Sequence, residues 1–101
     1  MEFPKELKNP TQSGNFTFYD TSIEGVKVVD VKLYGDARGG FMETYREENF
    51  VAGGIDTSFV QDNQSSSVQG VLRGLHFQIE HPQAKLVRVI SGTVFDVAVD
   101  L

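Results

Sequence analysis

From Val26 onward the chain is a succession of short segments in which apolar and polar residues alternate, each closed by a cluster of turn-forming residues. "VKVVDVKL" (Val26–Leu33) alternates and is rich in valine, and "YGDARGGF" (Tyr34–Phe41) follows it as a turn signal. After Ile55 the pattern repeats as "TSFVQDN", polar "QSSSVQG", "VLRGLHFQI", the turn "EHPQA", "KLVRVIS", the turn Ser91–Gly92 and "TVFDVAVDL". Side chains alternate faces along a strand, so a period of two with frequent turns predicts short antiparallel strands in a sandwich or barrel. "METYREENFVAGG" (Met42–Gly54) holds the only helical candidate, predicted over 46–52 and stopped by Gly53 and Gly54. "TVFDVAVDL" runs to Leu101, and so apolar a segment is either an exposed edge or part of a domain that continues. The second is expected.

Residues 1–20 mix Pro4, Pro10, Gly14, asparagine and lysine without a clear period and are expected to form an arm or extension, leaving 21–101 as the N-terminal portion of one domain. At 101 residues one domain is the limit. With no cysteine, disulfides and thiolate chemistry are excluded. No signal peptide or membrane-spanning run is visible, which makes the cytoplasm the default location and gives no reason to expect a membrane partner. The net charge of −5 argues against a nucleic-acid partner, which needs a broad basic surface. It leaves room for a small anion held by a few local cations.

Arg73 and His76 stand out within an otherwise core-like strand. In a regular strand they face opposite ways, Arg73 with Leu75 and Phe77, His76 with Leu72 and Gln78. Gly74 between them is a bulge candidate that would turn both into one cavity. The plain alternative, at even weight, is a satisfied core histidine and a rim ion pair. His76, Gln78 and Glu80 share a face and invite a metal reading, but Gly70-x5-His76-x-Gln78 offers an amide where a metal-binding cupin has its second histidine. Lys85 opens the next segment with Arg88 three residues on, which a solvated strand edge would also explain. Gln61 and Asn63 share a face, with Asp62 opposite, and could serve a base, a sugar hydroxyl or simply a turn. Arg38 sits among glycines as phosphate binding would want, or as an ordinary turn residue.

Taken together, "GDARGGFMETY", "FVQDNQSSSVQGVLRGLHFQ" and "KLVRVISGTVFDVAVDL" resemble the dTDP-4-dehydrorhamnose 3,5-epimerase family from about Ile23 to Leu101. The ordered patterns D-x-R-G, F-V-Q-D-N and V-L-R-G-L-H-x-Q carry the resemblance. It implies an all-β, cupin-like antiparallel jelly roll that uses no metal or other cofactor, assembled as a homodimer whose N-terminal segments reach the partner. The implied substrate is a dTDP-linked 4-keto-6-deoxy sugar, inverted at C3 and C5. His76 is then the catalytic base, and Lys85 lies beside the sugar ketone. Arg73 lies near the sugar and diphosphate, while Arg38, Glu43, Gln61 and Asn63 contact the nucleotide. Gln64, Gly40 and Ala84 stand where many members have histidine, an aromatic residue and glycine. The family's chain extends further, and its general-acid tyrosine and the aspartate that orients the histidine lie in that extension. A binding module without turnover and an enzyme acting on one carbon are the alternatives.

Overall fold

The computed structural model describes residues 6–101, so residues 1–5 of the expected arm lie outside the described residues. Contacts divide the chain into two units, 1–57 with 89–101, and 58–88. The regular elements all lie in the first. Strands β1 (Lys8–Ser13), β2 (Phe16–Asp20) and β3 (Lys27–Val31) form one antiparallel sheet in that order. Strands β4 (Leu33–Asp36) and β5 (Gly39–Met42) form a separate hairpin, followed by helix α1 (Glu47–Ala52). The class is therefore all-β and antiparallel with one short helix, as expected for a cupin-like fold. Among the described residues no closed barrel forms.

The stretch expected as an arm supplies β1 and β2, joined by the two-residue loop Gly14–Asn15. Gly14 has φ +58 at the first central position, the backbone that a tight type II′ hairpin turn requires. β1 is the edge strand and carries Pro10, which has no N–H to give a ladder. The register slips between Lys8 and Thr11 there, and Asn9 takes a left-handed φ of 53.

Phe16 and Phe18, two residues apart on β2, point to one face and are each 1 % exposed. Opposite them on β3 stand Val31 and Val29, the aromatic–β-branched pairing that sheets favour. Phe50 of α1, also 1 % exposed, closes the face. Its ring meets Phe16, Phe18 and Tyr45 edge-on, with centroids 5.1, 5.1 and 4.7 Å away. Each such contact contributes about 0.5–1.5 kcal/mol beyond the area it buries.

The helix is too short to stand alone and is held by its ends and by this docking. Asn49 donates to Ser13 Oγ at 2.9 Å, tying α1 to the end of β1. At the other end Gly54 N–H donates to Val51 O and Ile55 N–H to Phe50 O, the paired bonds of a Schellman cap. The left-handed residue in that cap is Gly54, φ +96, whereas Gly53 keeps a right-handed backbone at φ −80. Gly53 is needed for a different reason: a Cβ there would stand 2.3 Å from the Phe18 ring.

The single strand expected over 26–33 is two. The chain changes sheets at Lys32: its N–H still bonds Asn15 O at 2.9 Å, in line with the β2–β3 register, and from Leu33 it pairs with β5 instead. The turn expected in "YGDARGGF" is confined to Ala37 and Arg38, with Gly35, Gly39 and Gly40 paired across the β4–β5 hairpin. The strands expected in 57–63, 71–79, 85–91 and 93–101 do not form, and these segments hold only irregular chain and bends. A strand persists only with a ladder neighbour and a covered face. Leu72, Ile79 and Phe95 instead remain 90, 89 and 94 % exposed.

Two predictions follow from the aromatic core and the sheet's charges. Phe50→Ala should lower stability by about 3–5 kcal/mol, and Thr17→Ala, on the opposite face of β2, by less than about 1. Guanidinium unfolding followed by far-UV circular dichroism measures both, and equal losses would contradict the packing. Asp20 lies in register between Lys8 and Lys27 and accepts hydrogen bonds from Lys27 Nζ and Asn9 Nδ2. Those bonds, Lys27's foremost, hold its carboxyl below the ordinary 3.8. The folded state thus binds this proton less readily than the unfolded chain, so the stabilisation is present above that value and lost as pH falls through the folded one. Asp20→Asn should melt below the wild type at pH 7, with the gap narrowing as pH falls below 3.8; a gap independent of pH would sink the assignment.

Candidate functional site

The residues singled out in the sequence fall into both units. In the first, Arg38 occupies the two-residue loop between β4 and β5, with its side chain 90 % exposed. Asp36, at the end of β4, holds it on two sides. The carboxylate accepts the Arg38 backbone N–H at 2.9 Å, Nη2–H at 2.7 Å and Nε–H at 3.2 Å. These bonds push the Asp36 carboxyl below its ordinary range and the Arg38 guanidinium above its own, so both stay charged at neutral pH.

Glu43 follows β5 and is partly covered. It accepts from Arg46 Nε at 3.2 Å and forms an ion pair with Nη2 at 3.1 Å, and Arg46 also donates to Glu48 at 3.0 Å. Hydrogen bonds donated to Glu48 and then to Glu43 raise the Arg46 guanidinium above its usual value. Arg46 is also the N-cap residue of α1, and its carbonyl accepts the Phe50 N–H at 3.0 Å. The residue that orients Glu43 therefore also starts the helix whose Phe50 closes the core.

In the second unit, Gln61 Nε2 donates to Asn63 Oδ1 at 3.4 Å, as two residues on one face of an extended segment can. Arg73 turns back on its own chain, Nε donating to Ser67 Oγ at 2.9 Å and Nη2 to Ser66 O at 3.3 Å. Gly74 has φ +107, and a Cβ there would stand 3.5 Å from His76 Nδ1, so the imidazole lies against the glycine. The expected strand with a bulge does not form at this point, and no neighbouring strand pairs with 71–79. His76 and Lys85 are both exposed. Two open clefts of about 400 and 260 Å³ lie along the β1–β2–β3 sheet, and none of the predicted residues lines either. Among the described residues no three histidine, aspartate or glutamate side chains come together in a group suited to a metal ion. No helix among them is long and apolar enough to cross a membrane.

Three orienting partners were not singled out from the sequence: Asp36 for Arg38, Arg46 for Glu43, and Ser67 for Arg73. The first two had a signal. Asp-x-Arg across a tight turn lets an aspartate accept a backbone N–H two residues on, and Glu-x-x-Arg places opposite charges three residues apart. Ser67 lies within a polar run whose neighbours are also serine, and nothing in the run distinguishes it.

Comparison with known proteins covers most of the chain. The profile of a family described as dTDP-4-dehydrorhamnose 3,5-epimerase matches residues 20–101. Relatives named dTDP-4-dehydrorhamnose 3,5-epimerase include one from Methanothermobacter thermautotrophicus, 58 % identical over 86 residues, which are 85 % of this chain and 46 % of the relative. One from Neisseria gonorrhoeae is 52 % identical over 82 residues, covering 81 % of this chain and 25 % of the relative. One from Escherichia coli K12 is 51 % identical over 83 residues, covering 80 % and 45 %. The chain thus spans less than half the length of these relatives. No solved structure matches it.

Proposed function

Because the chain belongs to the dTDP-4-dehydrorhamnose 3,5-epimerase family, we propose that it serves an isomerase inverting C3 and C5 of a dTDP-linked 4-keto-6-deoxyglucose, in the cytoplasm, on the route to dTDP-L-rhamnose. What carries the reading is the family match over 20–101, a stretch that contains every residue the chemistry assigns to this chain.

The hydrogens at C3 and C5 flank the C4 ketone. In this proposal the imidazole of His76 takes one of them, and the electron pair of the broken C–H bond delocalises onto the C4 oxygen as an enolate. A neutral imidazole is suited to this near neutral pH. The enolate needs a fixed positive charge at the moment it forms, which is the role of the Lys85 ammonium. Return of a proton to the opposite face inverts the centre. Arg73 holds the sugar end of the diphosphate, while Arg38, Glu43, Gln61 and Asn63 take the nucleotide. The assembly is a homodimer.

Substrate incubated with the protein in deuterated water should acquire deuterium at C3 and C5, read by proton NMR. His76→Ala should slow wash-in at least about 10²-fold, and Lys85→Ala about 10²–10³-fold. Thymidine diphosphate binding should survive in both variants. Wild-type exchange in His76→Ala would refute the base assignment. Sedimentation equilibrium should give twice the mass of one chain; a monomer at micromolar concentration would remove the dimer. A second reading, nucleotide-sugar binding without turnover, is favoured by the exposure of His76 and Lys85. Tight thymidine diphosphate binding with no wash-in at either carbon would establish it.

A further inference from the structure

We propose that Asp36 is a positioning residue: it holds the Arg38 guanidinium by one edge and leaves the other fork directed at a diphosphate. The inference rests on the reading of Arg38 as a nucleotide contact and adds to it the residue through which that contact is made ready.

A guanidinium has five N–H donors, one on Nε and two on each Nη. Asp36 takes the Nε/Nη2 edge, with the carboxylate oxygens 2.7–3.4 Å away. The Nη1 and remaining Nη2 donors are left as a second, end-on pair, and such parallel pairs match phosphate oxygens bidentately. An exposed ion pair alone would be a weak tether. Here the carboxylate is itself fixed, because Oδ1 also accepts the Arg38 backbone N–H at 2.9 Å across a loop of two residues. One aspartate therefore sets the turn and the arginine on it together.

The advantage is entropic. A long side chain that is 90 % exposed samples many rotamers and loses them when it grips an anion. Holding it beforehand moves that loss from binding into folding. The opposing effect is repulsion, since Asp36 places a negative charge near the phosphates. At an exposed hairpin this is screened by water and salt. The two effects give opposite signs for removal of the charge, which makes the proposal testable.

The experiment is a double-mutant cycle in the intact protein, with thymidine diphosphate titrated by calorimetry into wild type, Asp36→Asn, Arg38→Ala and the double variant. Asparagine keeps an oxygen for the backbone N–H, so the turn survives, and far-UV circular dichroism verifies it. Asp36→Asn should weaken binding about threefold to tenfold, as expected for coupled groups in one hydrogen-bond network. In the Arg38→Ala background the same change should alter binding less than about twofold. Unchanged or tighter binding in Asp36→Asn, with Arg38→Ala weakened, would overturn the positioning role and leave the nucleotide contact standing. Equal losses in both backgrounds would also overturn it, because Asp36 would then act independently of Arg38. Wild-type affinity in Arg38→Ala would remove the nucleotide contact itself, and the proposal with it.

Discussion

The edge-on packing of Phe50 against Phe16 and Phe18 is the contact on which the ordered part of this molecule depends. Each partner is brought there by a separate local rule. Phe16 and Phe18 share a face because a strand has a period of two. That face is turned toward α1 because β2 is joined to β1 by a two-residue turn and paired with β3 in a fixed register. Phe50 reaches it because the helix begins at the Arg46 carbonyl and is stopped by the Gly54 cap within two turns. Gly53 then lets the end of the helix approach the Phe18 ring without a clash. The core is small, and removing any one ring leaves the other two with an uncovered side.

The candidate polar side chains follow a common scheme, in which a charged group proposed to meet substrate is held by a neighbour close in sequence. Asp36 holds Arg38, Arg46 holds Glu43, and Ser67 holds Arg73. Local pairs of this kind need only a turn or a helix start, so they form wherever those form. Arg46 links the two levels. It orients Glu43 with its guanidinium and opens with its backbone the helix that carries Phe50.

What could be read from the sequence divides along the same line. The helix over 46–52 was legible because Gly53 and Gly54 mark its end, although it is Gly54 that takes the left-handed backbone. The valine-rich alternation of 26–33 was legible as strand, but the break at Lys32 was not, since it depends on which partner strand each half pairs with. The β1–β2 hairpin had a signal that the mixed composition of 1–20 obscured: Gly14–Asn15 is a two-residue turn dipeptide, and Phe16-x-Phe18 after it alternates. At the candidate site the residue types were legible from three ordered patterns. Their partners were not, apart from the two short spacings, because a hydrogen bond such as Arg73 to Ser67 is settled by how a loop folds back.

The segments from 58 onward show why alternation alone does not make a strand. Their pattern demands a covered face, yet Leu72, Leu75 and Phe77 are exposed, and His76 among them is exposed as well. Strand pairing between distant segments must overcome loop-closure entropy before any ladder bond repays it, whereas a two-residue hairpin has almost none to overcome. The proposed chemistry makes the same demand from the other direction. Proton abstraction from carbon by His76, with an enolate held by Lys85, gains most from fixed charges in a site from which water is excluded. A wall that buried Leu72, on the same strand face as His76, would also dry the surroundings of the imidazole. In the proposed chemistry, covering that face and lowering the dielectric around the base are one requirement.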